Sequence, residues 1–197
     1  MKHLLLLSLI ILSQLTTQAQ NSSELPIKFR GGMMLHTSYL GNTRTEHPLS
    51  GIGYGIGGQL SYAIGDHFRL GTQGHASNLR YKGQEGTYKL GWGGLLIGYQ
   101  ITYGRLHPVV GLTLGGGHIK DMYFLETTNL DPDGTRTIIY RNYSSMLISP
   151  SLSAEYTLKS NMTLLLKIDY IFPVFSEHKE DFASGPRLYL GILFNRD

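Results

Sequence analysis

The string His75-Ala76-Ser77-Asn78 sets an imidazole and a hydroxyl two residues apart, and it is the one short stretch of this 197-residue chain with a catalytic look. On an extended strand those two side chains share a face, because successive residues point to opposite sides. A second set has the chemistry for ion pairs and polar contacts: Arg30, His36, Gln59, Arg69, Gln73, Glu155, Lys167, Asp169 and Arg187. In a space walled from solvent such groups are costly unless they neutralise one another. Asp131-Pro132-Asp133-Gly134 opens like a calcium loop, but no bidentate Glu follows at the twelfth position, and it reads as a plain turn. No metal or cofactor is expected.

The elements that must carry these residues announce themselves by a period of two. From Gly51 to Ile64 the odd positions are Gly51, Gly53, Gly55, Gly57, Gln59, Ser61 and Ala63; the even ones are Ile52, Tyr54, Ile56, Gly58, Leu60, Tyr62 and Ile64. One face is small or polar and the other greasy. The composition agrees, with 25 Gly and 13 Tyr among residues that are 41% hydrophobic and 16% charged, which favours short strands and tight turns over helices. At the start, Met1-Lys2-His3, the apolar run Leu4 to Leu12 and the small-residue exit Thr17-Gln18-Ala19 predict a secretory signal peptide over residues 1–19 and a mature domain over 20–197. That run is too short to span a bilayer as a helix, so any insertion must use strands. The chain has no Cys, which closes the lipoprotein route and any disulfide framework. A net charge of +3, scattered without a basic stripe, excludes nucleic acid as a partner.

Eight strands follow. The first spans about Ile27 to Tyr39, the second is Gly51 to Ile64, and a reversal at Gly65-Asp66-His67 leads to a third from Phe68 with a thin greasy face. In the fourth, Tyr88, Leu90 and Trp92 share one parity while Leu95, Ile97, Tyr99 and Ile101 hold the other. A β-bulge at Gly93-Gly94 is expected to absorb the slip. The fifth carries Val110, Leu112 and Leu114, after which the pattern blurs from Lys120 to Asn129 and resumes over Ile138 to Tyr143, a hairpin projecting beyond the wall. The sixth runs from Met146 to Leu158, the seventh from Met162 to Phe172, and the last sets Leu188, Leu190, Ile192 and Phe194 against Arg187, Tyr189 and Gly191. Short reversals near residues 66, 105 and 160 alternate with four longer polar loops, among them Ser176 to Ser184. With these turns Gln59 falls opposite Gln73, and Glu155 opposite Leu165 and diagonal to Lys167, a spacing that predicts a Glu155–Lys167 pair.

Two closed barrels fit such strands, a soluble cup with an apolar interior and a membrane barrel with an apolar exterior. An eight-stranded interior holds only its own side chains or one small ligand, so the many Ile, Leu, Met, Phe and Tyr residues cannot all point inward. Tyr and Phe toward the strand ends suit interfacial girdles, and the alternation of long and short connections suits outside loops and periplasmic turns. The expected fold is all-β, an eight-stranded antiparallel up-and-down transmembrane β-barrel, monomeric, in the outer membrane of a diderm bacterium. The pattern resembles the small outer-membrane barrels, the OmpA-like transmembrane domain and OmpX-like proteins, from about Ile27 to Phe194. Their last strand alternates apolar residues and ends in an aromatic, as Leu188, Leu190, Ile192 and Phe194 do, although Asn195, Arg196 and Asp197 run on. No peptidoglycan-binding domain follows, so that family's anchoring role is not implied.

By parity the listed polar residues, with His75, face the lumen, where a structural plug and a narrow gated pore are both open readings. His75-Ala76-Ser77-Asn78 looks like the His-x-Ser-Asn element of the lipid A deacylases, also eight-stranded outer-membrane barrels. That resemblance implies His75 as general base and Ser77 as nucleophile. Its orienting acid has no matching motif, Glu85 being the nearest downstream carboxylate, and the string faces the lumen where a lipid hydrolase needs it outside. The expected role is therefore non-enzymatic, structural or in surface interaction through the loops. Membrane lipid surrounds the wall, and the OmpX-like resemblance implies an extracellular partner at the 120–143 hairpin, with a merely protective loop as the plainer alternative.

Overall fold

The computed structural model describes residues 28–43, 49–80, 86–126, 136–159, 161–174 and 179–196. The signal peptide with Ala19, Glu85 and the Asp131-Pro132-Asp133-Gly134 turn lie outside them. Eight strands run in chain order: β1 (Lys28–Gly41), β2 (Ser50–Ile64), β3 (Phe68–Arg80), β4 (Gly86–Gln100), β5 (Leu106–Glu126), β6 (Arg136–Lys159), β7 (Met162–Val174) and β8 (Gly185–Arg196). Each pairs antiparallel with its neighbour, and β1 closes on β8, so the sheet is a barrel without an edge. A cross-strand row followed once around the wall starts at Val110, passes Leu152, Ile168, Leu188, Thr37, Tyr54, Asn78 and Lys89, and returns to β5 at Lys120. That offset of ten residues is the barrel's shear, which tilts the strands and fixes the bore.

The period of two sorts the side chains as the physics of a lipid-facing wall requires. Met33, Leu35, Ile52, Ile56, Leu95, Val110, Leu152, Leu166 and Leu190 point outward with half or more of their surface exposed. At the end with short turns Phe29 packs on Tyr62 and Phe68 on Tyr99, with ring centroids 5.1 and 5.5 Å apart, a girdle of the kind that marks a membrane interface. Tyr39, Tyr54 and Tyr140 stand exposed toward the loop end. The tight β2–β3 reversal is made by Gly65 at φ 63°, a backbone region that glycine enters without strain.

One sequence expectation is corrected here, and the projecting hairpin is borne out. The fourth strand has no bulge at Gly93-Gly94: its register to both neighbours runs unbroken from Thr87 to Tyr99, and the irregularity lies instead at Thr157/Lys159 in the β6–β7 pairing. The strand keeps one parity throughout, and the apolar residues change face along it: Tyr88, Leu90 and Trp92 point into the lumen while Leu95, Ile97 and Tyr99 point out. The blurred hairpin is also regular. β5 and β6 pair from Leu106↔Tyr156 to Glu126↔Arg136, and the greasy–polar pattern fades there because neither face is opposed to lipid along its whole length.

The lumen is packed through complementary sizes. On β2 the inward glycines lie beside the large groups of β1 and β3, and a Cβ on Gly57 would fall 1.9 Å from Nδ1 of His75. Outward-facing Gly91 has nothing within 4 Å of that position. Gly57→Ala is therefore expected to displace the His75 ring and lower stability by about 1–3 kcal/mol, while Gly91→Ala stays within about 0.5 kcal/mol of wild type. Urea unfolding of the refolded barrel in detergent, followed by heat-modifiable gel migration, separates the two.

Candidate functional site

Inside the wall, the polar residues form stacked groups at successive heights. Nearest the short turns, Glu155 of β6 is the hub: Arg30 of β1 and Arg69 of β3 each donate to one of its oxygens at 2.6 Å. Arg69 also donates Nε to Gln100 at 2.7 Å, and Gln100 passes the chain on to Thr102 at 3.0 Å. One level up, Lys167 donates to the side-chain oxygen of Gln73, whose amide nitrogen donates to Thr113; Gln59 lies beside Gln73 in register. Higher again, Arg187 grips Asp169 with two parallel hydrogen bonds of 2.8 and 2.9 Å and reaches Ser149 at 3.3 Å. Both partners of that pair are fully buried, so the bidentate geometry has to repay the removal of two charges from water.

Glu155 thus satisfies the two arginines, and Lys167 turns to Gln73, so the expected Glu155–Lys167 pair is replaced by longer-range ones. The diagonal spacing was correct, with Ser153 opposite Lys167 and Glu155 opposite Leu165. Across a narrow lumen, however, Arg30 and Arg69 reach the carboxylate from strands 125 and 86 residues away in sequence. A guanidinium also satisfies a carboxylate with directed N–H donors, which an ammonium supplies less specifically.

Aromatic rings complete the middle of the lumen. Trp92 lies beneath the Arg187 guanidinium, 4.5 Å from its carbon, and stacks on His75 at 5.1 Å with planes 22° apart. Tyr189 touches His36 and His75 at centroid distances of 4.9 Å each and lies 5.2 Å from the Lys167 ammonium. Neither Trp92 nor Tyr189 stands out by residue type in a membrane barrel. An unbroken β4 parity, shared with Gly94, Leu96 and Gly98, is the signal that assigns Trp92 inward.

The two residues of the catalytic-looking string are not brought together with each other. His75 and Ser77 both point inward, yet Ser77 shares its 2.8 Å hydrogen bond with His36, while His75 is held between aromatic rings. Both residues are buried, and neither faces the lipid.

At the loop end the lumen turns apolar. Leu40, Leu79, Tyr88, Leu90, Trp92, Ile119, Tyr123, Leu147 and Ile171 converge there, joined by Leu49 from the β1–β2 loop and Phe182 from the β7–β8 loop. The 3-10 turn Lys179–Asp181 brings Phe182 in: the Tyr88 hydroxyl accepts from the Ala183 N–H at 2.9 Å, and Arg141 of β6 donates to Asp181 at 3.0 Å. Below, among Gln59, Ser61, Arg69, Ser153, Glu155 and Lys167, a cavity of about 20 Å³ has room for a single water. Ion pairs crossing the bore and the apolar cap above them favour the plug over the pore.

The second feature lies outside. β7 ends at Val174, opposite Met146, so among the described residues β6 has no strand neighbour on that side from Arg136 to Asn142. Its other side stays paired to β5 throughout. Among the described residues the hairpin therefore presents a β6 edge above the closed wall.

Closure, the outward apolar band and the packed polar lumen define a small eight-stranded transmembrane β-barrel of outer-membrane type. No family model matches the chain, and no curated protein matches it. Among solved structures, Neisserial surface protein A superimposes with a TM-score of 0.61 at 15% identity, covering 85% of this chain and 96% of that one. OprG from Pseudomonas aeruginosa gives 0.54 at 13% identity over 86% and 95%. Ail, the attachment invasion locus protein of Yersinia pestis, gives 0.52 at 9% identity over 85% and 98%, and a second structure of it holds the heparin analogue sucrose octasulfate.

Two outcomes are expected. Glu155→Gln leaves the guanidiniums of Arg30 and Arg69 in the lumen without their counter-charge and should cost about 3–5 kcal/mol in urea unfolding. Tyr88→Phe removes the phenol that accepts from Ala183, and limited trypsin digestion should then cut after the exposed Lys179 several times faster than in wild type.

Proposed function

We propose that the protein resides in the outer membrane and serves in surface interaction, receiving an extended segment of a partner along the free edge of β6 in the projecting β5–β6 hairpin. The observation that carries this reading is that edge. From Arg136 to Asn142 the backbone on one side has no strand partner among the described residues, and an unpaired edge is a template for strand addition. Exposed Ile138 and Tyr140 on the outward face would contribute side-chain contacts beside the backbone pairing. The inward face is occupied differently: Ile139 and Tyr143 pack on the apolar cap, and Arg141 is tied to Asp181. The hairpin is thereby braced from within, so the edge is presented with little ordering cost. Ail, a neighbour of the same fold, is named for attachment and invasion, which is consistent with such a role.

The reading is of a binding protein without catalysis. The test joins Lys120 to Asn142, a cross-strand pair, through an Asn-Gly turn, removing residues 121–141 and the edge with them. Bacteria displaying this variant should fold the barrel normally by heat-modifiable migration. Their adhesion to cultured epithelial cells should fall to that of cells lacking the protein. Adhesion equal to that of wild type overturns the reading.

A further inference from the structure

Lys89 of β4 and Lys120 of β5 are direct cross-strand partners on the outer wall, flanked in the same row by Asn78 and Asn142. Both lysines are exposed, as is Arg80 two residues beyond Asn78. Like charges directly opposite one another destabilise a sheet pair, and the neutral flanking amides offer no compensation. Their height is also fixed by the strands. Lys89 stands ten residues above the girdle residue Tyr99, and Lys120 ten above Val110. A tilted strand crosses the apolar band in about 9–11 residues, so both ammonium groups emerge at headgroup level on the loop side.

Immediately below them the wall is hollow. Gly91 and Gly116 face outward where other strands carry Ile, Leu or Met, and with His118, Ser144 and Met146 they border an open groove of about 590 Å³. A Cβ on Gly91 would meet nothing within 4 Å, and one on Gly116 only the Ser145 carbonyl at 3.9 Å. His118 and Ser144 share a 3.0 Å hydrogen bond in the row of Gly91, directly below the lysines, and Gly116 lies one row lower. Further down, Gly93 and Gly74 continue the hollow toward Leu95 and Leu114.

We propose that Lys89, Lys120 and this groove form a binding site for a phosphorylated lipid of the outer leaflet, its phosphate between the two ammonium groups and an acyl chain in the groove. The order of groups along the membrane normal carries the assignment. Cations lie above, the hydrogen-bonded His118 and Ser144 next, and below them a row without side chains at Gly74, Gly93 and Gly116, which is the order of phosphate, ester and chain in such a lipid. A soluble anion would answer the lysines but leave the groove unfilled. A zwitterionic lipid would fill the groove but bring its own ammonium toward the lysine pair. The groove borders β6 at Ser144 and Met146, but the site does not depend on the adhesion reading.

Native mass spectrometry of the full chain, released from micelles doped with phosphatidylglycerol or phosphatidylcholine, tests it. Wild type should retain phosphatidylglycerol in preference to phosphatidylcholine by about thirtyfold, as two lysines at a membrane surface provide. Lys89→Gln with Lys120→Gln should abolish the preference, with heat-modifiable migration confirming a folded barrel. Gly91→Leu, which fills the groove without a clash, should reduce retention of phosphatidylglycerol while the lysines remain. Equal retention by wild type and the double glutamine variant overturns the proposal. If inorganic phosphate displaces the lipid and Gly91→Leu retains it as wild type does, the lysines bind a free anion and the lipid site is also overturned.

Discussion

Closure is the constraint on which the rest of the structure depends. In a bilayer no water satisfies the backbone, so every N–H and C=O at membrane depth must find a partner within the sheet, and eight strands achieve this only by joining β8 to β1. Once strand number and shear are set, the bore is set as well. Every inward side chain must then fit a volume that the backbone has already decided. This explains why large and small residues alternate between neighbouring strands: Gly55 and Gly57 of β2 lie where His36 of β1 and His75 of β3 occupy the space.

The same confinement governs the charges. Outside, the apolar band gains nothing by association with other apolar groups, because lipid tails are equally apolar. Within the lumen, by contrast, Arg30, Arg69 and Glu155 draw three strands together, and Arg187 with Asp169 fastens β8 to β7. The apolar cap of Phe182, Leu49 and their neighbours lies above these pairs on the loop side. Excluding water there lowers the local dielectric, which strengthens paired charges and raises the cost of any left unpaired. Polar floor and apolar lid are therefore parts of one arrangement.

Much of this was legible in the sequence, for a physical reason. A strand with lipid on one side and a crowded lumen on the other must alternate, and Gly51 to Ile64 displays the rule without interruption, so strand count, turns and the Gln59–Gln73 register follow from spacing alone. Legibility failed where a second apolar environment appeared. Tyr88, Leu90 and Trp92 are greasy because they belong to the cap, and equating greasy with outward turned a regular strand into an expected bulge. Pairing partners failed differently. Cross-strand neighbours can be deduced from a turn, but Glu155 meets Arg30 and Arg69 across the lumen, and that distance depends on bore and tilt. The Ser77–His36 bond is of the same kind, since adjacency along β3 suggested His75 instead.

The division of labour within the wall bears on what the surface is free to do. The groups that hold the barrel together point inward and lie below the cap, whereas the outward residues of the β5–β6 hairpin above the wall contribute little to the lumen. Arg141, Ile139 and Tyr143 are the exception, because their inward faces tie the hairpin's base to the cap and to Asp181. Substitutions at Ile138, Tyr140 or Asn142 should therefore alter recognition without disturbing the ion pairs beneath, while changes at Tyr123 or Tyr143 would be transmitted to the lid. A surface that can change on one face while its opposite face is fixed by packing suits a protein whose contacts lie outside the cell, and in this barrel the two faces alternate residue by residue along a single strand.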